Sequence, residues 1–388
     1  MAKPDAVLVV GGGPAGQAAA ASYREAGGGG VVRILAAEPE WPYERPPLTK
    51  DFLRGEMMRE QLLLEGVDWY RRNEVEVELG TEVRELDLEA GLARDGEGRE
   101  WGFERCLLAT GALPLVPPIP GADGPDVRTV RTIGDAEALR GFAECSVLVV
   151  GSGFVGCEAA ASLAMLGAEV TVATMDASPQ LERLGEEASA RIAGWLEELG
   201  VEILASAELA EVVATESGSR ARFEDGRECD AEIVVLALGI KRLDRLAAAA
   251  GIEVDDGVPV NAAMVSTHPR LLAAGDVAHA ENAAAGRRLR VEHWGEALNM
   301  GAVAGRTLAS EAARWDAAPG FWSTIGTRRL KFVGWGDGFD AVRFEAGASG
   351  SFVARYGRDG ELVGVLVHEN DSAYEEGREL VEERAQWR

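Results

Sequence analysis

The sequence predicts an α/β protein built from two copies of one strand–turn–helix unit, followed by a smaller α+β C-terminal segment. Three observations carry this reading. The apolar run Ala6-Val7-Leu8-Val9-Val10 leads into Gly11-x-Gly13-x-x-Gly16 and an Ala-rich stretch. The run Val147-Leu148-Val149-Val150 leads into Gly151-x-Gly153-x-x-Gly156, 140 residues further on, and again into an Ala-rich stretch. From about residue 316 the apolar runs Phe352-Val353-Ala354-Arg355-Tyr356 and Leu362-Val363-Gly364-Val365-Leu366-Val367 read as strands of a different kind of unit.

The spacing of the glycines has a physical meaning. The first allows the tight turn from strand to helix. The second lets the backbone approach a pyrophosphate with no Cβ in the way, and the third lets helix and strand pack closely. The N–H groups and positive dipole end of the helix then hold the phosphates. Gly11, Gly13, Pro14, Ala15 and Gly16 are therefore candidates for one dinucleotide, and Gly151, Gly153, Phe154, Val155 and Gly156 for another. A single fingerprint is a weak signal. Two in this context argue for two bound dinucleotides, which is what a flavin enzyme reduced by a nicotinamide nucleotide needs. The expected fold is α/β, with two Rossmann-like dinucleotide-binding domains plus a small α+β C-terminal domain.

Residues 1 to about 38 read as strand, helix, strand. Glu38 follows the run Val31-Val32-Arg33-Ile34-Leu35 and stands 22 residues past Gly16, close to the roughly 20-residue offset of a ribose-binding carboxylate. The tract from Gly27 to Gly30 is expected to be a flexible turn, since a strand rather than a helix follows it. Pro114 to Gly121 reads as an inter-domain connector. Residues 122–241 repeat the strand–helix–strand pattern. Within them, Ile192, Trp195, Leu196 and Leu199 mark the apolar face of an amphipathic helix, and Val234 to Gly239 a buried strand ending in glycine. The expected domains are 1–113 with 242–315, then 114–241, then 316–388.

Composition narrows the function. The chain has 388 residues, 47% of them hydrophobic and 6% aromatic, which suits two or three α/β domains. No apolar run reaches the roughly 18 residues of a membrane span, and no basic, then apolar leader precedes the first strand, so a cytoplasmic location is expected. The formal net charge of −26 argues against nucleic acid and anionic membranes as partners. Cys106, Cys145, Cys157 and Cys229 form no Cys-x-x-Cys pair and have no metal-ligand spacing with the four histidines, so no metal is expected. Cys106 and Cys145 lie in or beside apolar runs and read as inert thiols.

Three more segments carry a family resemblance. Leu107-Leu108-Ala109-Thr110-Gly111 is a strand ending in Ala-Thr-Gly, and Leu271-Leu272-Ala273-Ala274-Gly275-Asp276 a strand ending in Gly-Asp. Pro42-Tyr43-Glu44-Arg45-Pro46-Pro47-Leu48-Thr49-Lys50 is a proline-fixed loop. With the two fingerprints, they resemble the FAD-dependent pyridine-nucleotide oxidoreductases, in the ferredoxin/rubredoxin reductase branch that includes apoptosis-inducing-factor-like flavoproteins. The resemblance implies FAD contacts from Glu38, Arg45, Ala109, Thr110, Gly111, Gly275 and Asp276, with Asp276 on the ribityl chain. It implies a pair between Lys50 and Glu158 beside the reactive nitrogen of the flavin, and an aromatic residue, Trp294 of Val291-Glu292-His293-Trp294, beside its ring. Lys50, Glu158 and Trp294 are the candidate catalytic residues. The cysteines that the disulfide-reducing relatives need near the flavin are absent, and Cys157, at a helix start without a partner, is assigned no redox role.

Nucleotide choice follows from the end of the strand Val170-Thr171-Val172-Ala173-Thr174. NADH-using relatives usually place a glutamate at the Thr174 position, and NADPH users place arginines nearby. This chain has Met175 and Asp176 instead, and no base before Arg183. Asp176 favours NADH, since it would repel a 2′-phosphate; NADPH stays open. Gly239 is expected to contribute to the same nucleotide site. The implied activity is electron transfer from NAD(P)H through FAD to a one-electron acceptor, most of all a ferredoxin-type iron–sulfur protein. Arg287-Arg288-Arg290 and Arg328-Arg329-Lys331 offer local basic charge for such a partner. The alternative is an NADH-responsive flavoprotein, either a quinone or small-molecule reductase or a redox-controlled interaction protein. Monomer and homodimer are both open.

Overall fold

A computed structural model describes residues 6–387. The chain folds as two compact units, Met1–Glu44 with Leu62–Ala112 and Arg242–Phe321, and Arg45–Gln61 with Leu113–Lys241 and Trp322–Arg388. Among the described residues no helix is long and apolar enough to cross a membrane.

The first unit is organised by a five-stranded parallel sheet. Its spatial order is Leu271–Ala273, Arg105–Leu108, Val7–Val10, Val32–Leu35, Val75–Glu78. A parallel sheet is covered on both faces, which is why its strands read as unbroken apolar runs; Leu8, Val9, Ile34, Leu107 and Leu272 are all buried. The chain moves outward from Val7–Val10 in one direction and returns to its other side with Arg105–Leu108. The order thus reverses at the carboxyl end of the first strand, the position at which open α/β sheets bind ligands.

The fingerprint helix Pro14–Glu25 starts at this reversal, with proline in its first turn and the side-chain-free Gly13 as its N-cap. It packs along the helix Trp294–Leu308. The contact is backbone-close: a Cβ on Gly301 would lie 2.3 Å from the Ala15 carbonyl oxygen, and a Cβ on Gly305 would lie 2.3 Å from that of Ala19. Two three-stranded sheets complete the unit: Val83–Asp87 with Leu92–Asp95 and Glu100–Gly102 is antiparallel, and Val258–Val260 with Ala278–Asn282 and Arg287–Leu289 is mixed, its first pairing parallel and its second antiparallel.

The second unit repeats the parallel design in the order Glu202–Leu204, Glu169–Ala173, Ser146–Val150, Ile233–Leu236, Val127–Arg128. Its reversal lies between Ser146–Val150 and Ile233–Leu236. Beyond the small antiparallel sheet Leu209–Thr215, Gly218–Phe223, Glu228–Ala231, the C-terminal segment forms a five-stranded sheet in the order Gly320–Ile325, Arg328–Gly334, Glu361–His368, Phe352–Arg358, Ala341–Ala346. The helix Asp371–Glu382 packs on its strands Arg328–Gly334 and Glu361–His368. The C-terminal segment is therefore α+β, as the sequence predicts.

The amphipathic helix Glu186–Glu198 buries Ile192, Trp195 and Leu196, with Leu199 half-buried behind them. Its Trp195 stacks on Phe352 at 6.3 Å between ring centroids and meets His368 at 4.8 Å. One apolar core thus joins Val147, Val172 and Ile233 of the parallel sheet to Phe352, Ala354 and Leu366 of the C-terminal sheet. The proline-fixed loop contributes Leu53 to that same core, so it folds with the second unit although it lies between strands of the first.

The helix contacts set opposite outcomes for two glycine substitutions. Gly305→Ala forces a Cβ into a carbonyl and is expected to cost about 1–3 kcal/mol of unfolding free energy. Gly194→Ala, in the helix Glu186–Glu198 with open space around its Cβ position, is expected to add about 0.5–1 kcal/mol. Urea denaturation of the two variants beside the unmodified protein checks both signs.

Candidate functional site

The two fingerprints occupy equivalent places in the two parallel sheets. Gly11, at φ +125°, lies so close to the neighbouring loop that a Cβ would sit 2.1 Å from the Ala109 carbonyl oxygen. Gly151, at φ +105°, repeats this against Ala237 at 2.4 Å. Only glycine combines that backbone with that approach. The third glycines close the turn: a Cβ on Gly16 would be 2.3 Å from the Gly11 carbonyl oxygen, and one on Gly156 would be 2.0 Å from that of Gly151. The middle glycines differ in kind. Gly13 and Gly153 have nothing within 4 Å of the Cβ position, so each faces a space that a side chain would fill. Both are helix N-caps with no side chain over the first-turn N–H groups. This is the cradle that a pyrophosphate fits.

In the first unit, the expected FAD residues converge from four distant stretches. Ala109 meets Gly11, and Gly275 lies against Ala15 and Ala297, its Cβ position being 3.1 Å from the Ala15 Cβ. Ala297 belongs to the helix that opens with Trp294. Thr110 Oγ1 donates to the Leu243 carbonyl at 3.0 Å, and Gly111 follows it in the turn. Asp276 is half-buried in the tight turn Gly275–Val277. Glu38 lies three residues past the strand Val32–Leu35, and its Oε2 accepts from the Tyr43 hydroxyl at 2.6 Å.

In the second unit, Pro46–Thr49 forms a tight turn and presents Lys50 to the fingerprint helix Phe154–Met165. Lys50 Nζ lies 2.6 Å from Glu158 Oε2. Both residues are buried, at 8% and 5% exposure, so little solvent screens the pair. The pair that the resemblance implied is present in the fold. Two hydroxyls complete it that sequence reasoning had not singled out. Thr49 Oγ1 donates to Glu158 Oε2 at 2.6 Å, and Ser323 Oγ donates to Oε1 at 2.7 Å, joined by the Thr324 N–H at 3.3 Å. One helical turn beyond Glu158, Ser162 Oγ donates to the Thr49 carbonyl at 2.7 Å. Thr49 stands next to the candidate lysine, which is the signal that could have found it.

An ammonium has three N–H groups. Those of Lys50 meet Glu158 and, at 3.4 Å, the Thr49 hydroxyl, which leaves a donor for an acceptor on a bound group. Arg45 belongs to this unit as well, and its Nη1 donates to the Arg131 carbonyl at 2.8 Å.

At the second fingerprint, Thr174 is buried and its hydroxyl is 2.7 Å from that of Ser152, the residue between Gly151 and Gly153. The Asp176 N–H donates to Thr174 Oγ1 at 3.3 Å, while Met175 is exposed. Thr174 thus braces the glycine turn. Gly239 ends the turn after Ile233–Leu236, and its carbonyl accepts from the Leu115 N–H. Phe154 and Val155 open the fingerprint helix, Val155 being exposed and the Arg183 guanidinium lying 5.9 Å from the Phe154 ring.

No described cysteine is poised for redox work. Burial pushes the Cys157 thiol up to about 12, with the Glu158 carboxylate adding to the rise. Burial raises Cys106 as well. In native protein at pH 8 these two are expected to resist a thiol reagent such as Ellman's, and to react after denaturation; native labelling of either overturns this account. The pair gives a second expectation. Glu158→Ala strands a buried ammonium and is expected to cost about 3–5 kcal/mol in urea denaturation. Arg220→Ala, which removes exposed pairs to Asp230 and Glu228, is expected to cost no more than about 1 kcal/mol.

The sequence profile of the family described as pyridine nucleotide-disulphide oxidoreductase matches residues 5–301. A ferredoxin–NAD(P)(+) reductase from Sphingomonas sp is 30% identical over 91% of this chain and 87% of its own length. The ferredoxin reductase subunit of 5,5′-dehydrodivanillate O-demethylase from Sphingobium sp. (strain NBRC 103272 / SYK-6) is 31% identical over 96% of this chain and 92% of its own. Among solved structures, a ferredoxin reductase from Rhodopseudomonas palustris superposes with a TM-score of 0.94 at 27% identity, over 99% of this chain and 96% of that one. The covalent putidaredoxin reductase–putidaredoxin complex gives 0.92 at 28% identity, over 98% and 93%. With its two glycine cradles and its Lys50–Glu158 pair, the chain belongs to the pyridine nucleotide-disulphide oxidoreductase family, in the FAD-dependent ferredoxin reductase branch.

Proposed function

We propose that this protein is an FAD-dependent NAD(P)H reductase that passes electrons to a ferredoxin-type iron–sulfur protein. The observation that carries the reading is the buried pair of Lys50 and Glu158 in a chain with two pyrophosphate cradles. When bound, FAD accepts a hydride from the nicotinamide nucleotide and releases electrons singly.

The residues divide by task. Gly11, Gly13, Pro14, Ala15 and Gly16 hold the FAD pyrophosphate, and Glu38 takes the adenosine ribose. Ala109, Thr110, Gly111, Gly275 and Asp276 line the rest of the FAD, with Asp276 accepting from ribityl hydroxyls at charge-assisted strength. Arg45 supplies positive charge near it and Trp294 covers the ring. Lys50, held in place by Glu158, donates a hydrogen bond where electron density rises on reduction. Gly151, Gly153, Phe154, Val155, Gly156, Thr174 and Gly239 hold the nicotinamide nucleotide. On this reading 1–113 with 242–315 is the FAD domain, 114–241 the nucleotide domain and 316–388 the C-terminal domain.

NADH is the proposed donor. The Thr174 hydroxyl is engaged with Ser152, and Asp176 beside it disfavours a 2′-phosphate. The acceptor is proposed from the names of the relatives, which are reductases of ferredoxins; the redox-controlled interaction protein is not favoured by them. The basic clusters carry less local charge than their sequences suggest. Arg290 pairs with Asp255, Arg328 with Glu198 and Lys331 with Asp371. Association with an acceptor is therefore not expected to rest on those clusters.

Anaerobic stopped-flow mixing with each nucleotide, followed at the flavin band, tests the reading. Rapid bleaching by NADH and slower bleaching by NADPH is expected; a flavin that neither nucleotide reduces within minutes sinks it. Asp176→Asn is expected to lower the half-saturating NADPH concentration by roughly two- to fivefold, the size of one partly exposed charge contact, and to leave NADH unchanged.

A further inference from the structure

Glu158 is held by more than its lysine. Its Oε2 accepts from Lys50 Nζ and Thr49 Oγ1, both at 2.6 Å. Its Oε1 accepts from Ser323 Oγ at 2.7 Å and the Thr324 N–H at 3.3 Å. Each oxygen thus has two donors, and the donors come from opposite ends of the chain. Thr49 and Ser323 are themselves buried, at 7% and 1% exposure. The carboxylate cannot turn without leaving a buried hydroxyl unpaired. Lys50, by contrast, sits on a long flexible stem, and its polar partners among the described residues are Glu158 and the Thr49 hydroxyl. Whatever fixes the carboxylate fixes the ammonium.

The two hydroxyls are themselves oriented. Thr49 closes the tight turn Pro46–Thr49, and its carbonyl is held by Ser162 of the fingerprint helix at 2.7 Å. Arg54 Nη1 donates in turn to Ser162 Oγ at 3.2 Å. Ser323 lies within the strand Gly320–Ile325, where the ladder sets its direction.

We propose that Ser323 and Thr49 are positioning residues for electron transfer. By clamping one oxygen of Glu158 each, they set the place from which Lys50 presents its remaining N–H to the bound FAD. This inference rests on the role given to Lys50 under the proposed function.

The FAD-loaded enzyme tests it, with Ser323→Ala and Thr49→Val as the removing variants, Thr49→Ser as the restoring one and Lys50→Gln as the reference. Both removals are nearly isosteric and act on different segments, so the loss of one variant to misfolding leaves the other. The midpoint potential of the bound FAD is measured by anaerobic dye-coupled titration. The limiting rate of flavin reduction and the half-saturating nucleotide concentration are measured by stopped flow. Ser323→Ala and Thr49→Val are expected to move the potential in the direction that Lys50→Gln moves it. They are expected to lower the limiting rate by roughly three- to tenfold, the worth of one hydrogen bond in a barrier, with half-saturation unchanged. Thr49→Ser is expected to keep the unmodified values. A purely structural role would lower stability and leave the potential where it was. If Lys50→Gln shifts the potential and neither removal does, the positioning role is wrong and the function stands. If Lys50→Gln shifts nothing, the role of Lys50 falls and this inference falls with it.

Discussion

One buried carboxylate ties the second unit together. Glu158 draws the loop Arg45–Gln61, the helix Phe154–Met165 and the strand Gly320–Ile325 onto four donors. Taking a carboxylate and an ammonium out of water is costly, and such a pair persists only when its remaining hydrogen-bonding capacity is met. Here it is met for the carboxylate and left open by one N–H on the lysine. That asymmetry is what the role proposed for Lys50 draws on. Everything around the pair, from the proline-fixed turn to the antiparallel sheet, serves to keep a charge inside the protein and available.

The other constraint is steric and appears twice. At Gly11 and at Gly151 the backbone passes so near the next strand's loop that no side chain fits. A helix is thereby launched from the carboxyl end of the central strand, with its uncapped N–H groups facing open space. The same geometry arises in two sheets because the same three glycine positions impose it. The sheets differ in what braces the turn: Ser152 and Thr174 share a hydrogen bond in the second, whereas Gly12 and Ala36 stand at the corresponding places in the first and cannot form one.

Much of this was legible in the sequence, for reasons that differ by residue. The fingerprints were readable because their glycines obey local steric rules. The helix Glu186–Glu198 was readable because Ile192, Trp195 and Leu196 recur at the helical period. What Trp195 packs against was not readable, since Phe352 and His368 lie far along the chain and nothing local points to them. The pairing of Lys50 with Glu158 came from family resemblance and not from periodicity. Ser323 and Thr49 stayed hidden for a related reason: a hydroxyl has no signature until its acceptor is placed. The loop Arg45–Gln61 shows the same limit. By sequence it sits between strands of one unit, but Leu53 and Lys50 find their partners in the other.

The crossing of the helices Pro14–Glu25 and Trp294–Leu308 bears on motion. Gly301 meets Ala15 and Gly305 meets Ala19, each pair one turn beyond the last. Contacts at backbone distance leave no room for the rolling and sliding by which helices with larger side chains between them accommodate change. The two helices are therefore expected to open together, and their amide hydrogens to exchange with solvent as one cooperative block among the slowest of the unit. The first fingerprint and Trp294 sit at the leading ends of that block. Breathing that admits water to one of them must then disturb the other, so the glycine cradle and the Trp294 end of the second helix share a single stability.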